Sequence, residues 1–254
     1  MRKLYLKQIF TILIITTTTS LSLSAQQSKV ALISVFIDKN LTGDLNDEVL
    51  KNMSSNDYFK FDSISKNFKN RFFSQYAKNL PLDFLAEDSV IKNPEYKALG
   101  LGEMNDNNSQ RYATPKGYVY INSRWPYKDK TSINNAFKLL PSDVDFVMIA
   151  YVNFDLIESF KVGMVSFSKM RAYVNFKIMD RTGKQVASIK EYGKSHDSTV
   201  GLVYSGVTFS DVKKLRPLCY QALNKLYLDL EKDLPKDTKK IKRKIKKWKK
   251  KQKR

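Results

Sequence analysis

Between Val144 and Tyr192, apolar side chains recur at every second residue, and this pattern constrains the fold more than any other feature of the chain. Phe146, Met148, Ala150, Val152, Phe154 and Leu156 share one side of the first stretch. Met170, Ala172, Val174, Phe176 and Ile178 do the same in the second, alternating with Arg171, Tyr173, Asn175 and Lys177. A period of two sends successive side chains to opposite faces of a strand, so both stretches read as strands with one buried face. Asp180-Arg-Thr-Gly183 follows, with glycine where a tight turn needs a positive φ, and leads into a third strand over 185–192. The three form an antiparallel meander.

The rest of the chain supplies what the meander packs against. Residues 30–37 are a nearly continuous apolar run rich in β-branched side chains, which suits a central strand covered on both faces. Asp62 or Ser63 is placed to cap a helix carrying Ile64, Phe68, Phe72 and Tyr76, with Phe73, Ala77 and Leu80 widening its stripe. Residues 82–85 and 118–121 read as strands, Asn93-Pro94 opens a helical turn, and 100–116 read as a loop. Thr131 or Ser132 caps a helix bearing Ile133, Ala136, Phe137 and Leu140. In the last helix Val212, Leu215, Cys219, Ala222, Leu223, Leu226 and Leu230 keep helical phase across Pro217, which predicts a kink there or a start near it. The expected fold is α/β (α+β): one domain over 26–231, a mixed sheet with a C-terminal antiparallel meander, helices packed on it, and a basic C-terminal tail. At 42% hydrophobic and 12% aromatic residues the chain can fill such a core, which excludes wholesale disorder and a collagen-like repeat. Cys219 is the only cysteine, so a disulfide scaffold is excluded too, and its apolar setting makes it a buried small hydrophobe.

An early covered strand, a helix, an Asp-Val-Asp-Phe-Val-Met-Ile-Ala entry strand over 143–150 and a hairpin turning on Asp-Arg-Thr-Gly-Lys over 180–184 form a recognisable arrangement. It resembles periplasmic α/β domains of curli-secretion-channel subunits and of lipoprotein activators of penicillin-binding proteins. The resemblance spans about two thirds of the chain, judged by pattern. It implies a non-catalytic envelope role in assembly, scaffolding or activation of another protein. The chain departs from it in lacking a lipidated cysteine and in its lysine-rich end.

Charge is distributed unevenly. The formal net charge is +20, but residues 232–254 hold fourteen basic and two acidic residues, and residues 1–25 hold three basic ones, leaving +5 for the body between them. Arg2, Lys3 and Lys7 precede the apolar run 9–15, and Ser22-Leu-Ser-Ala25 offers a cleavage site, the order of a secretory signal peptide over 1–25. That run is well short of the ~20 residues a membrane-spanning helix needs, and no later stretch is long enough, so no transmembrane span is expected in the mature chain. In residues 232–254, Ile241, Ile245 and Trp248 lie on one narrow helical face with lysines around them. Pro235 separates this segment from the preceding helix, and like-charge pairs work against helix formation. The expectation is therefore a tail, disordered until an anionic surface neutralises it, which then lays Trp248 at the interface. Its candidate binding residues are Lys239, Lys240, Lys242, Arg243, Lys244, Lys246, Lys247, Trp248, Lys249 and Lys250.

Catalytic motifs are weak. Ser195, His196 and Asp197 are adjacent, whereas the members of a hydrolytic triad come from separate segments. Asp38 to Asn46 begins like a calcium loop, but its twelfth position is Val49 and Glu48 falls one place early. Gly100-Leu-Gly102 lacks the third glycine of a dinucleotide fingerprint. Asp143 and Asp145 sit at a strand start, where solvated carboxylates are common. With one histidine and one cysteine a typical zinc set is out of reach. No catalytic residue, metal or cofactor is assigned. The expected function is that of an exported, non-enzymatic envelope protein binding a protein or glycan partner, with anionic lipid or polymer contacted by its basic end. The alternatives are an exported hydrolase with an unrecognised carboxylate or His196 site, and an extracellular nucleic-acid-binding protein. The latter is disfavoured because no aromatic-and-basic row was evident on the strands.

Overall fold

The computed structural model describes residues 27–40, 59–101, 111–121, 131–204, 207–210 and 212–252. The leader expected over 1–25, residues 41–46 of the acidic loop and residues 102–105 lie outside them. The described residues form one eight-stranded mixed sheet with helices on both faces, the expected fold class.

Strand β1 (Ser28–Asp38) lies between the parallel strands β2 (Leu82–Phe84) and β4 (Phe146–Val162), with the short antiparallel β3 (Tyr112–Ala113) at its C-terminal end. β5 (Val165–Met179) runs antiparallel to β4. Its far half pairs with β6 (Gln185–Lys194) and its near half, Val165 to Ser168, with β7 (Thr199–Tyr204), which carries the edge strand β8 (Val207–Ser210). The meander thus divides after β6, with β6 and β7 sharing one long strand end to end. β7 and β8 were not anticipated, nor was β3.

The helices are α1 (Phe61–Arg71), α2 (Glu87–Ile91), α3 (Ala98–Leu101), α4 (Thr131–Leu139) and α5 (Val212–Gln252). A π turn over Phe72–Tyr76 extends α1. Its entry is formed by Lys60 in a left-handed conformation, φ 46°, without a side-chain cap, so neither Asp62 nor Ser63 caps it as expected. α1, its extension and α5 cover one face of the sheet, while α2, Tyr96 and α4 cover the other. β1 serves both cores, and a register shift between Leu32 and Ser34 changes which of its residues face which side. Val30 and Leu32, then Val35 and Ile37, point to α5, whereas Ala31, Ile33 and Phe36 point to α4. At that irregularity Ser34 turns its hydroxyl to residues 118–121, donating to the Val119 carbonyl (2.8 Å) and accepting from the Ile121 amide (3.2 Å). That segment is buried but forms no ladder, correcting the strand expected there.

The larger correction concerns the end of the chain. α5 is one helix of 41 residues that passes through both Pro217 and Pro235, and it is neither broken nor separate from the domain. Leu226, Leu230, Leu234, Asp237, Ile241, Ile245 and Trp248 continue one stripe at spacings of three and four. Ile241 is fully buried, Ile245 nearly so, and Trp248 packs against the same core. Burying each isoleucine stabilises the helix by ~1.5–3 kcal/mol. The interior proline and the like-charge pairs at i,i+3 and i,i+4 both oppose it, and the seating of Ile241, Ile245 and Trp248 on the core is what opposes them in turn. Pro235 also stands on the exposed side, where water reaches the Glu231 carbonyl it leaves without a helical bond. Residues 232–252 belong to the fold.

α5 meets β6 at backbone distance. A Cβ placed on Gly193 would lie 2.2 Å from the Leu226 nitrogen and 2.5 Å from the Ala222 carbonyl oxygen, so this position admits only glycine. About three turns further along α5, the Tyr76 hydroxyl donates to buried Asp237 (2.8 Å), joining the helix to the π turn.

Candidate anion-binding face and cleft

The burial of Ile241, Ile245 and Trp248 fixes the azimuth of everything else on the last turns of α5. Lys239, Arg243, Lys246 and Lys250 are exposed and, at 100° per residue, fall opposite the buried stripe, with exposed Lys242 and Lys249 completing the outward arc on the side away from the β5–β6 turn. Lys240 is half-buried beside Asp237. Lys244 and Lys247 sit on one flank, with Lys251 a turn beyond. The sequence reading placed these basic residues on one surface with Trp248 among the ligand-facing groups. Trp248 instead packs edge-on to Phe146, centroids 4.8 Å apart, and donates its indole N–H to Asp180 (2.8 Å).

The flank of α5 carrying Lys244, Lys247 and Lys251 faces the β5–β6 turn across a cleft of about 420 Å³, which Thr182, Lys184, Gln185, Trp248 and Gln252 also line. The turn is held rigidly. Asp180 Oδ1 accepts from the amides of Thr182 (3.0 Å) and Lys184 (3.1 Å) and from the Thr182 hydroxyl (2.7 Å), and Gly183 takes φ 70° to close the loop. Arg181 reaches across to the carbonyls of Ser142 (2.7 Å) and Val144 (3.0 Å), pinning the turn to the entry of β4. Burial works against the Asp180 charge, yet the bonds from Thr182, Trp248 and Lys184 outweigh it and hold the carboxyl below its usual range. Asp180, the one acid among the described residues lining the cleft, is thus fully engaged, and Lys184, Lys244, Lys247 and Lys251 set the cleft's sign. Sequence reading missed Thr182, Lys184 and Lys251 as site residues. The turn motif held the signal for Lys184, but nothing in one-dimensional spacing sets residue 184 beside residue 247.

The catalytic candidates are not assembled. The Ser195 hydroxyl donates to the Asp197 backbone carbonyl (2.7 Å) and accepts from the Met170 amide (3.0 Å), fastening the end of β6 to β5. His196 projects into solvent, its side chain 95% exposed, beside Asp197 (2.9 Å). Asp38, first residue of the calcium-like loop, has both carboxylate oxygens on Arg111, the nearest at 2.8 Å. Asp143 pairs with Lys29, which holds its carboxyl below the usual range. Cys219 is buried, and burial alone pushes its thiol up. Among the described residues no group of histidine, cysteine and carboxylates is placed to hold a metal. None of their helices is long and apolar enough to cross a membrane.

One sequence reading of the sheet needs revision. On the face away from α5, Tyr173 lies directly opposite Tyr192, flanked by Arg171 opposite Lys194 and Asn175 opposite Lys190. This is an aromatic-and-basic row after all, with Tyr192 55% exposed, though Arg171 is bound to Asp155 (2.6 Å).

No family model matches the chain, and no curated protein matches it. Among solved structures, a neuraminyllactose-binding hemagglutinin homologue from Helicobacter pylori aligns with 87% of this chain and 90% of its own, at 11% identity and a TM-score of 0.37. Likeness at that level carries nothing about ligands. The resemblance to curli-channel and activator domains stays an expectation from the strand pattern.

Proposed function

We propose that this is an exported, non-enzymatic cell-envelope protein that is held on an anionic surface by the outward face of α5 and uses its α/β body to engage a protein or glycan partner. The observation that carries the reading is the arc formed by Lys239, Lys242, Arg243, Lys246, Lys249 and Lys250 on a helix whose other side is packed into the core. A basic face already ordered binds without the folding cost that a disordered tail would meet at the surface. The charge order of residues 1–25 supports export, and the +5 of the body supports a surface role confined to one end.

Deleting residues 236–254 would strip Ile241 and Ile245 from the core, so the face is tested by neutralisation in place. Full-length mature protein should sediment with phosphatidylglycerol-containing vesicles and be released by salt, since exposed charges are screened over a Debye length of ~8–10 Å near physiological ionic strength. A variant with Lys239, Lys242, Lys246, Lys249 and Lys250 changed to Gln should keep its circular dichroism and lose vesicle binding. Equal binding by parent and variant removes the reading. A second reading, stacking of nucleobases, rests on the Tyr173–Tyr192 pair. It predicts a gel shift with single-stranded DNA that Tyr192→Ala abolishes.

A further inference from the structure

We infer that the cleft between α5 and the β5–β6 turn is a discrete site for a phosphomonoester or diphosphate group, distinct in chemistry from the diffuse basic arc beside it. This rests on the anionic-ligand reading of α5 and narrows it to one group.

Three features set the cleft apart from a merely charged surface. First, its ammonium groups come from two elements. Lys244, Lys247 and Lys251 stand at i, i+3 and i+7 on α5, and Lys184 faces them from the turn. A ligand held here is gripped from both sides, whereas one on the outer arc meets a single helix.

Second, both walls are fixed. Asp180 ties the turn to Trp248 across the floor of the cleft, Arg181 anchors the turn to β4, and Ile245 anchors the helix to the core. The lysine stems therefore start from set positions, which lowers the ordering cost of binding.

Third, the donor inventory selects the ligand. The Thr182 hydroxyl and the amides of Thr182 and Lys184 are already given to Asp180. What remains is four ammonium groups and the side-chain amides of Gln185 and Gln252. Among the described residues no guanidinium lines the cleft, so recognition there rests on point charges rather than on the planar two-pronged match a guanidinium makes to carboxylate or phosphate. Lysines act as compact point charges and bind phosphate in that role. Four of them against one engaged aspartate match a ligand bearing two or more negative charges.

The probe is inorganic pyrophosphate, titrated into the full chain by calorimetry and by Trp248 fluorescence in a Trp125→Phe background. Saturable binding at one equivalent is expected, weakened about tenfold or more by Lys184→Gln, on the scale of one charge-assisted contact. Lys190→Gln, which changes an exposed lysine of β6 outside the cleft, should change nothing. Vesicles containing phosphatidic acid form the second arm. If Lys184→Gln weakens both vesicle and pyrophosphate binding, the phosphoryl group is a lipid head group; if only pyrophosphate weakens, the ligand is a soluble phosphorylated molecule. Equal effects of Lys184→Gln and Lys190→Gln, or binding without saturation, overturn the site. The two proposals fail separately. Saturable pyrophosphate binding without vesicle binding leaves the cleft and removes the surface reading, and vesicle binding without saturable pyrophosphate binding does the reverse.

Discussion

Gly193→Ala is the substitution on which the docking of α5 turns. The backbone at residue 193 is ordinary strand, not the left-handed region, so alanine is conformationally welcome there. By chain entropy alone the change would stabilise the protein by roughly 0.4–1 kcal/mol. Sterically the Cβ would stand 2.2 Å from the Leu226 nitrogen, 2.5 Å from the Ala222 oxygen and 2.7 Å from the Leu226 Cα, whereas ordinary contact begins near 3.4 Å. All three atoms are helix backbone, so no rotamer relieves them, and α5 must lift from β6. Lifting it loosens Cys219, Ala222, Leu223 and Leu226, all buried. Overpacking costs ~1–3 kcal/mol where side chains can adjust, so a backbone clash belongs at the upper end or above, and a net loss of ~3 kcal/mol is expected. For a chain of this size that lowers Tm by ~6–12 °C. Gly163→Ala is the control. Its Cβ meets nothing within 4 Å, but its φ is +58°, so it should cost only the ~1–2 kcal/mol of the left-handed conformation. Urea unfolding followed by circular dichroism reads both. If Gly193→Ala stays within ~0.5 kcal/mol of the parent, the range of an ordinary surface change, the helix is not seated on β6 and the account of its last turns fails with it.

Ile241→Ala should cost ~2–5 kcal/mol in the same assay, whereas a solvated tail would register no change. Asp180→Ala removes the acceptor of four bonds and should cost ~2–3 kcal/mol, with a changed Trp248 emission. Because the folded Asp180 carboxyl lies below its usual range, that contribution is present above the unfolded pKa of ~3.9 and lost as pH falls through the folded value. Glu191 and Asp237 carry the opposite sign. Burial, and then Asp233 and Asp237 nearby, push Glu191 up; burial pushes Asp237 up against the Tyr76 bond. A raised folded pKa favours the fold below the unfolded value and opposes it as pH rises through the folded one. Glu191→Gln and Asp237→Asn should therefore raise stability at neutral pH, and the gain should vanish below pH ~4; a gain that persists in acid would refute the assignment.

What could be read from the sequence followed periodicity. β4, β5 and β6 repeat every two residues and β1 is a continuous apolar run, each long enough to declare itself, and Gly183 marks its own turn. The stripe of α5 was legible to Leu230 and equally present beyond it, through Ile241, Ile245 and Trp248. It was set aside because Pro235 and the lysine density are local signals of a break, while the compensating burial is a tertiary quantity invisible in a window. β3 has two residues and no period. Residues 118–121 alternate like a strand but are held by the hydroxyl of Ser34, a contact across 85 residues. The basic face was legible as composition. The cleft was not, because Lys184 meets Lys247 only after β6 and α5 have packed. Most of the fold was therefore local pattern, and the site was pattern plus packing.

Amide hydrogen exchange over residues 238–250 of the free full-length protein, at high salt and without any anionic ligand, tests most directly whether the basic end of α5 is a folded face. Protection comparable with that of Cys219 to Leu230, in the same helix and the same core, is the expected result. Exchange at the rate of an unstructured peptide, with protection appearing only when anionic vesicles are added, would contradict it.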